Sequence, residues 1–96
     1  MDNIINRLTA YTFALRDALE RTNEANERPK IARHMAAAAE MYALLHMHKT
    51  CDAIAHVVTA ENRSHGLSYL SGDHGKRVAK KWLEFVDATG LEPANT

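Results

Sequence analysis

Two histidines and an aspartate in the middle of the chain stand at a spacing that suits metal binding. His48, Asp52 and His56 follow one another at four-residue intervals, in a chain that holds six histidines among 96 residues. On a helix this spacing places the three side chains in one stripe, where two neighbours can chelate a divalent ion. A structural zinc site needs four ligands, however, and the sequence shows no second cluster. We therefore predict a solvated polar face here, and no metal site.

A cysteine three residues from His48 could form a cysteine–histidine nucleophile pair. The residues around Cys51 offer neither an orienting group nor an oxyanion hole for such a pair. Cys51 also falls on an apolar stripe, where a lone cysteine usually packs as a small hydrophobic side chain. We therefore predict that the protein is not an enzyme and needs no cofactor.

A glycine-containing segment, SGDHGKR, leads into a basic stretch near the C-terminus. Backbone N–H groups that precede a helix can bind an anion, and the basic side chains add positive charge. The segment is not a nucleotide-hydrolase loop, because Leu70 replaces the first glycine of that pattern and Arg77 replaces its serine or threonine. The alternative is an ordinary helix cap with a solvated basic face. The candidate anion-binding residues are His74, Lys76, Arg77, Lys80 and Lys81.

Aromatic and cationic side chains in the first half of the chain form a second candidate for ligand binding. They are Tyr11, Arg16, Arg33, His34 and Tyr42. Such residues near a helical hairpin can line a pocket. Both tyrosines fall on apolar stripes, so core packing is the expected role.

The hydrophobic periodicity predicts an all-α domain of three helices over residues 1–96. The first helix covers about 3–23, the second about 29–63 and the third about 73–89, with a frayed tail at 91–96. The second helix is the longest, because its stretch contains no glycine and its only proline stands at the first position, where a helix tolerates it. The short polar connector before it predicts that the first two helices pack as an antiparallel hairpin.

The apolar face of this long predicted helix changes sides halfway along. In the first half the apolar residues cluster around Ile31, whereas in the second half they cluster on the opposite side of the helix. A straight helix would therefore need a second surface to cover its C-terminal half. We expect a homodimer or higher oligomer whose contact lies near Met47, Cys51, Ile54 and Val58.

The composition limits the compartment and the kinds of partner. The chain has 12 basic and 12 acidic residues, so its formal net charge is zero and only a local patch could recruit nucleic acid or an anionic membrane. A single cysteine allows no disulfide within the chain. No apolar run is long enough to span a membrane, and the first residues lack the features of a signal peptide. These features predict a cytoplasmic protein that does not bind membranes.

Two functions remain after these exclusions. The first is a non-enzymatic protein–protein interaction module, an adaptor or inhibitor that binds a larger protein of unknown identity as a homo-oligomer. The alternative is an oligomeric binding module for an anionic ligand, a nucleotide or nucleic acid, held by the basic N-terminal part of the third helix. Salt dependence separates the two, because phosphate-driven binding weakens steeply as salt rises and apolar packing does not.

Overall fold

The computed structural model describes residues 1–67 and 70–91, and these are helical with no strand among them. The all-α prediction is confirmed. The helices are α1 (Asp2–Arg21), α2 (Glu27–His48), α3 (Ala55–Leu67) and α4 (Gly72–Thr89), with a short 3₁₀ turn at Cys51–Ile54. Residues 92–96, which hold most of the predicted frayed tail, lie outside the described residues.

Helix α1 packs against both α2 and α4. It runs antiparallel to α2, because Thr22 at its C-terminal end bonds to Glu27 while Thr9 near its start contacts the hydroxyl of Tyr42. It is also antiparallel to α4. Arg77 near the start of α4 donates a 2.8 Å hydrogen bond to Asp17 near the end of α1. The predicted hairpin of the first two helices is therefore present.

The prediction of one continuous helix over 29–63 is wrong, because the chain breaks into α2 and α3 after His48. Lys49 ends α2 in the left-handed conformation, with φ at 58°. Thr50 is extended, and its hydroxyl accepts the N–H of Asp52 at 3.3 Å to cap the next turn. Residues 1–67 and 70–91 consequently contain four α-helices, where three helices were predicted.

The change of apolar face explains why the chain breaks at this place. A straight helix would have carried its second apolar stripe away from the core, whereas the break turns α3 back toward it. Ile54 and Val58 are thereby buried in the same core as Ile31 and Leu45. The swap of faces was visible in the sequence, and its physical solution is a bend within one chain.

The core lies where α1 crosses between the other helices. Its largest fully buried side chains include Trp82, Tyr11 and Phe85, which come from α1 and α4. Among the described residues, no helix combines the length and apolar character that crossing a bilayer requires.

Candidate functional site

A cavity of about 340 Å³ opens between α3, the start of α4 and the connection that joins them. This volume is at the lower end of the range for small-molecule pockets. The described part of its lining is mostly apolar and includes three polar side chains. The apolar side chains are Leu70, Val78, Ala79, Trp82 and Leu83, and the polar ones are Asn62, His65 and Lys76.

A buried glycine closes one end of this cavity. Gly75 lies in the first turn of α4, directly against the backbone of Leu70. A Cβ atom at this position would overlap the carbonyl oxygen of Leu70, so any other residue would push the connection away from α4. The close packing against Leu70 therefore requires glycine at this position of the SGDHGKR segment. The same packing shapes the cavity.

The indole of Trp82 forms the floor of the cavity and joins α4 to α3. Its ring is 2% exposed and stacks on the ring of His65, with centroids 5.0 Å apart and planes inclined by 25°. Its Nε1–H donates a 3.0 Å hydrogen bond to the Oδ1 atom of Asn62. Because the amide oxygen of Asn62 is used in this way, its NH₂ group is the part left for a ligand.

Behind His65, a chain of polar side chains runs into the core. The His65 Nε2 and the Tyr11 hydroxyl lie 2.6 Å apart, and that hydroxyl donates to the Glu61 Oε2 at 3.3 Å. The same carboxylate oxygen accepts a 2.8 Å hydrogen bond from the Nδ1 of His34. A carboxylate can only accept, so the phenol proton points to Glu61 and His65 donates to the phenol oxygen. Three side chains, Tyr11, His34 and His65, are thus arranged around the buried carboxylate of Glu61.

Burial determines the protonation states of His65 and Tyr11 in this row of polar side chains. It lowers the pKa of His65 to about 3, with the neighbouring His34 adding to the effect, so the imidazole is neutral near pH 7. Burial raises the pKa of Tyr11 far above its usual range, with the charge of Glu61 and the hydrogen bond to it as further causes. The phenol is therefore protonated and serves as a hydrogen-bond donor.

A second buried carboxylate, Glu27, ties three helix ends together. It accepts a 2.6 Å bond from the Thr22 hydroxyl at the end of α1 and a 2.8 Å bond from the Ser71 N–H before α4. The Nε2 of His74 lies 3.5 Å from its Oε1. These contacts lower the pKa of Glu27 to about 2, with the Thr22 hydrogen bond as the largest cause. This cluster holds the fold together and contributes no side chain to the cavity lining.

The structure does not gather the five predicted anion-binding residues into one patch. His74 is drawn inward to Glu27, Arg77 bonds to Asp17, and Lys81 bonds to Glu84 at 3.3 Å. Lys80 is exposed. Lys76 alone of the five lines the cavity, and it has no acidic partner among the described residues.

The predicted stripe of His48, Asp52 and His56 does not form, because the helix break separates His48 from the other two. His56 lies at the surface, with its Nε2 3.8 Å from Glu40.

Within the described residues, the grouping with metal-ligand geometry is a different one. It consists of His34, Glu61 and His65, whose donor atoms all lie within 4.8 Å of one another. Sequence reasoning missed it because His34 and Glu61 are 27 residues apart. The only signal was the four-residue spacing of Glu61 and His65.

The four predicted interface residues differ in exposure. Met47 is 71% exposed, and Cys51 is half-buried. Ile54 and Val58 are buried in the core of the chain itself. Burial raises the pKa of the Cys51 thiol, and the charge of Asp52 raises it further, so the environment does not activate this cysteine as a nucleophile.

Comparison of the chain with protein-family models, with curated proteins and with solved structures finds no match. The function therefore has to be inferred from the cavity and the polar side chains behind it.

Proposed function

We propose that this chain is a small-molecule-binding domain whose ligand is an amphipathic anion. The ligand places an apolar body in the cavity between α3 and α4 and an anionic group beside Lys76. The observation that supports this is the cavity itself: an apolar recess of about 340 Å³ with a few polar groups at its edge. Such a recess is the usual form of a ligand site.

The apolar part of the ligand follows from the lining. Leu83 is 60% exposed although it is a large apolar side chain, and it stands at the cavity beside Ala79. Covering this leucine gains roughly 25 cal/mol for each Å² of apolar surface removed from water. An aliphatic or aromatic body therefore suits this surface better than a sugar or a polar peptide does.

The anionic part follows from the hydrogen-bonding groups. Lys76 can only donate and is positively charged, and the Asn62 amide has only its NH₂ group left. None of the described residues that line the cavity is acidic. A carboxylate or another small oxyanion supplies the acceptors and the negative charge that these donors lack.

This proposal narrows the alternative function predicted from the sequence. Arg77 and Lys81 are already paired with Asp17 and Glu84, so their charges are partly offset within the chain. The formal net charge is zero. Both facts favour a small anion over a nucleic acid, whose binding depends on many unpaired cations. We retain the predictions of a non-enzymatic and cytoplasmic protein.

The adaptor or inhibitor function remains a prediction, but it needs a contact surface other than the apolar stripe predicted from the sequence. Its original basis was the apolar stripe that includes Ile54 and Val58, and these side chains are now buried within the chain. Among the described residues, the exposed large apolar side chains are Met1, Phe13, Met47 and Leu83. Phe13 and Met47 lie away from the cavity and are available to a protein partner or a second copy.

Trp82 provides a direct test, because it is the only tryptophan and forms the cavity floor. We expect octanoate and 4-phenylbutyrate to change its fluorescence in a saturable way, and the corresponding neutral amides to bind more weakly. Lys76→Gln removes the positive charge, so it should reduce the ratio of acid affinity to amide affinity by about tenfold. This factor corresponds to the roughly 1.4 kcal/mol that a charge-assisted contact contributes.

A matched pair of alanines controls for changes in stability. Ala79→Leu adds a side chain within the cavity and should abolish the response, whereas Ala39→Leu makes the same change at an exposed position of α2. Equal binding by both variants would place the ligand elsewhere. The absence of any saturable response to acids of either type in the wild-type protein would contradict the proposed function.

A further inference from the structure

We propose that His34, Glu61, His65 and Tyr11 form a binding site for one divalent transition-metal ion. The site lies in the core, behind the cavity floor, and is built from α1, α2 and α3. It does not depend on the identity of the ligand in the cavity, and each proposal can fail without the other.

The separations between the donor atoms fit an ion of this size. The Tyr11 Oη lies 2.6 Å from His65 Nε2 and 3.3 Å from Glu61 Oε2. The same Glu61 oxygen lies 2.8 Å from His34 Nδ1 and 3.9 Å from His65 Nε2. Zinc binds nitrogen and oxygen at about 2.0–2.2 Å, which places the ligands of a tetrahedron roughly 3.3–3.6 Å apart. Two of these separations are shorter than this range and one is longer, so binding an ion requires the donor atoms to move.

The kinds of donor select the class of metal. Two imidazoles and one carboxylate form the ligand set of catalytic zinc sites and of non-haem iron sites, and hard cations such as magnesium prefer oxygen alone. Tyr11 supplies its phenol oxygen as a fourth donor, or a hydrogen bond to the carboxylate. The ion belongs therefore to the group of Zn²⁺, Fe²⁺, Co²⁺ and related cations.

Burial gives this carboxylate a need for positive charge. Glu61 is buried, and its Oε2 receives hydrogen bonds from a phenol and an imidazole. Buried charges in proteins are normally paired with an opposite charge or coordinate a metal. Apart from the histidines, no cationic side chain lies within ion-pair distance of Glu61 among the described residues. A divalent ion supplies the missing charge.

Metal binding requires the two donor nitrogens, His34 Nδ1 and His65 Nε2, to lose the protons they hold in these hydrogen bonds, so that each ring carries its proton on the other nitrogen. It also requires one ring to turn, and this provides a specific signal. The rings of His34 and His65 are stacked with centroids 4.1 Å apart and planes inclined by only 9°. An imidazole lone pair lies in the plane of its ring, so two parallel rings cannot both point to one ion. If His65 turns, it leaves its stack on Trp82, and the fluorescence of this tryptophan changes. The cavity gives the ion access, because His65 lines it.

The test is titration of the full chain, first treated with chelator, with Co²⁺ and then Zn²⁺. We expect visible Co²⁺ absorption that saturates at one ion per chain, loss of that absorption on addition of Zn²⁺, and quenching of Trp82. Glu61→Gln and His65→Gln should each lower the affinity for Co²⁺ by more than about 100-fold. Loss of a residue that only supports a metal ligand typically costs about 10–100-fold. His56→Gln is the matched control, because it removes an exposed histidine beside Glu40 on the same helix as His65.

A measurement on the wild-type protein covers the case in which these core variants fail to fold. Paramagnetic Co²⁺ should broaden the NMR signals of His34, His65 and Trp82 and leave those of the exposed His48 unchanged. The proposal is overturned if the wild-type protein shows neither Co²⁺ absorption nor broadening at these residues. It is equally overturned if His56→Gln removes binding, or if a folded His65→Gln variant binds as the wild type does.

Discussion

At the scale of single residues, the two buried glutamates have different surroundings. Glu27 accepts bonds from a threonine hydroxyl and a backbone N–H at helix ends, whereas Glu61 is surrounded by histidines and a tyrosine next to a cavity. The first environment is complete without a ligand. The second combines groups that can bind a metal or move a proton, and such combinations are concentrated at functional sites.

The contribution of Glu27 to stability should depend on pH. Its pKa is about 2 in the folded protein and about 4.5 otherwise, so the ionised form is favoured by folding. The resulting stability is fully present above about pH 4.5 and is lost as the pH falls from there toward 2. Glu27→Gln should lower the free energy of unfolding at pH 7 by roughly 2 kcal/mol, the range for hydrogen bonds to a charged group.

Urea unfolding at pH 7 and at pH 3 measures this effect. The difference between wild type and Glu27→Gln should be smaller at pH 3, where part of the wild-type advantage has been lost. Glu20→Gln is the control, since the side chain of Glu20 is exposed and makes a surface ion pair with Arg16 at 3.7 Å. An equal difference at both pH values would show that Glu27 stabilises through packing and not through its charge.

The roles of single residues could be predicted from the sequence only in part. The sequence identified Tyr11 and His34 as possible pocket residues and assigned Tyr11 to the core, where it lies. It could not bring them to Glu61 and His65, because that contact depends on the direction of α3 after the break. Lys76 was predicted as a ligand contact from the basic stretch after the glycines, and the structure places it at the cavity. The pairing of Arg77 with Asp17 could not be predicted, because it depends on the position of α4 against α1.

At the scale of helices, the break between α2 and α3 has the largest consequence. Helical propensity favours a continuous helix through this stretch, and burial of both apolar faces opposes it. Burial prevails, because a buried aliphatic side chain contributes about 1.5–3 kcal/mol while residues differ in helix propensity by at most about 1 kcal/mol, proline apart. A sequence argument that weighs propensity first will therefore predict one helix where the fold has two.

The left-handed conformation of Lys49 makes this break testable. A non-glycine residue with φ near 58° carries about 1–2 kcal/mol of steric strain, and glycine relieves it at a smaller entropic cost. We expect Lys49→Gly to raise the free energy of unfolding by up to about 1 kcal/mol. A continuous helix predicts the opposite sign, because glycine inside a helix destabilises it by about 1 kcal/mol.

Lys80→Gly supplies the comparison, since Lys80 is an exposed lysine in the interior of α4. Thermal or urea unfolding of the two variants should give shifts of opposite sign. A loss of stability at position 49 equal to that at position 80 would contradict the break and restore the single long helix.

At the scale of the whole molecule, the chain has the dimensions of one compact domain. The radius of gyration is 12.6 Å, close to the roughly 12.5 Å expected for a folded chain of this length. The long helix inferred from the sequence left half of its apolar surface to a second copy. Because α3 turns back toward the core, the chain covers that surface itself. The apolar stripe therefore no longer supports self-association. Self-association remains a prediction that rests on the exposed side chains of Phe13 and Met47.

Two substitutions at predicted interface positions separate a core role from an interface role. Ile54 is fully buried, so Ile54→Asp places a charge in the core and removes a large apolar side chain, at a cost of at least about 3 kcal/mol. We expect this variant to lose its helical circular dichroism and its unfolding transition. Met47→Glu changes a side chain that is 71% exposed and should leave both unchanged.

Light scattering of the wild type and of Met47→Glu then decides the oligomeric state. A wild-type mass of 10.7 kDa at micromolar concentration means that the folded chain is a monomer and that the predicted homo-oligomer is wrong. A multiple of this mass that falls to 10.7 kDa in Met47→Glu locates the contact at Met47 and its neighbours. A folded Ile54→Asp variant of reduced mass would instead place Ile54 in an interface between copies, and the turn of α3 toward the core of its own chain would have to be abandoned.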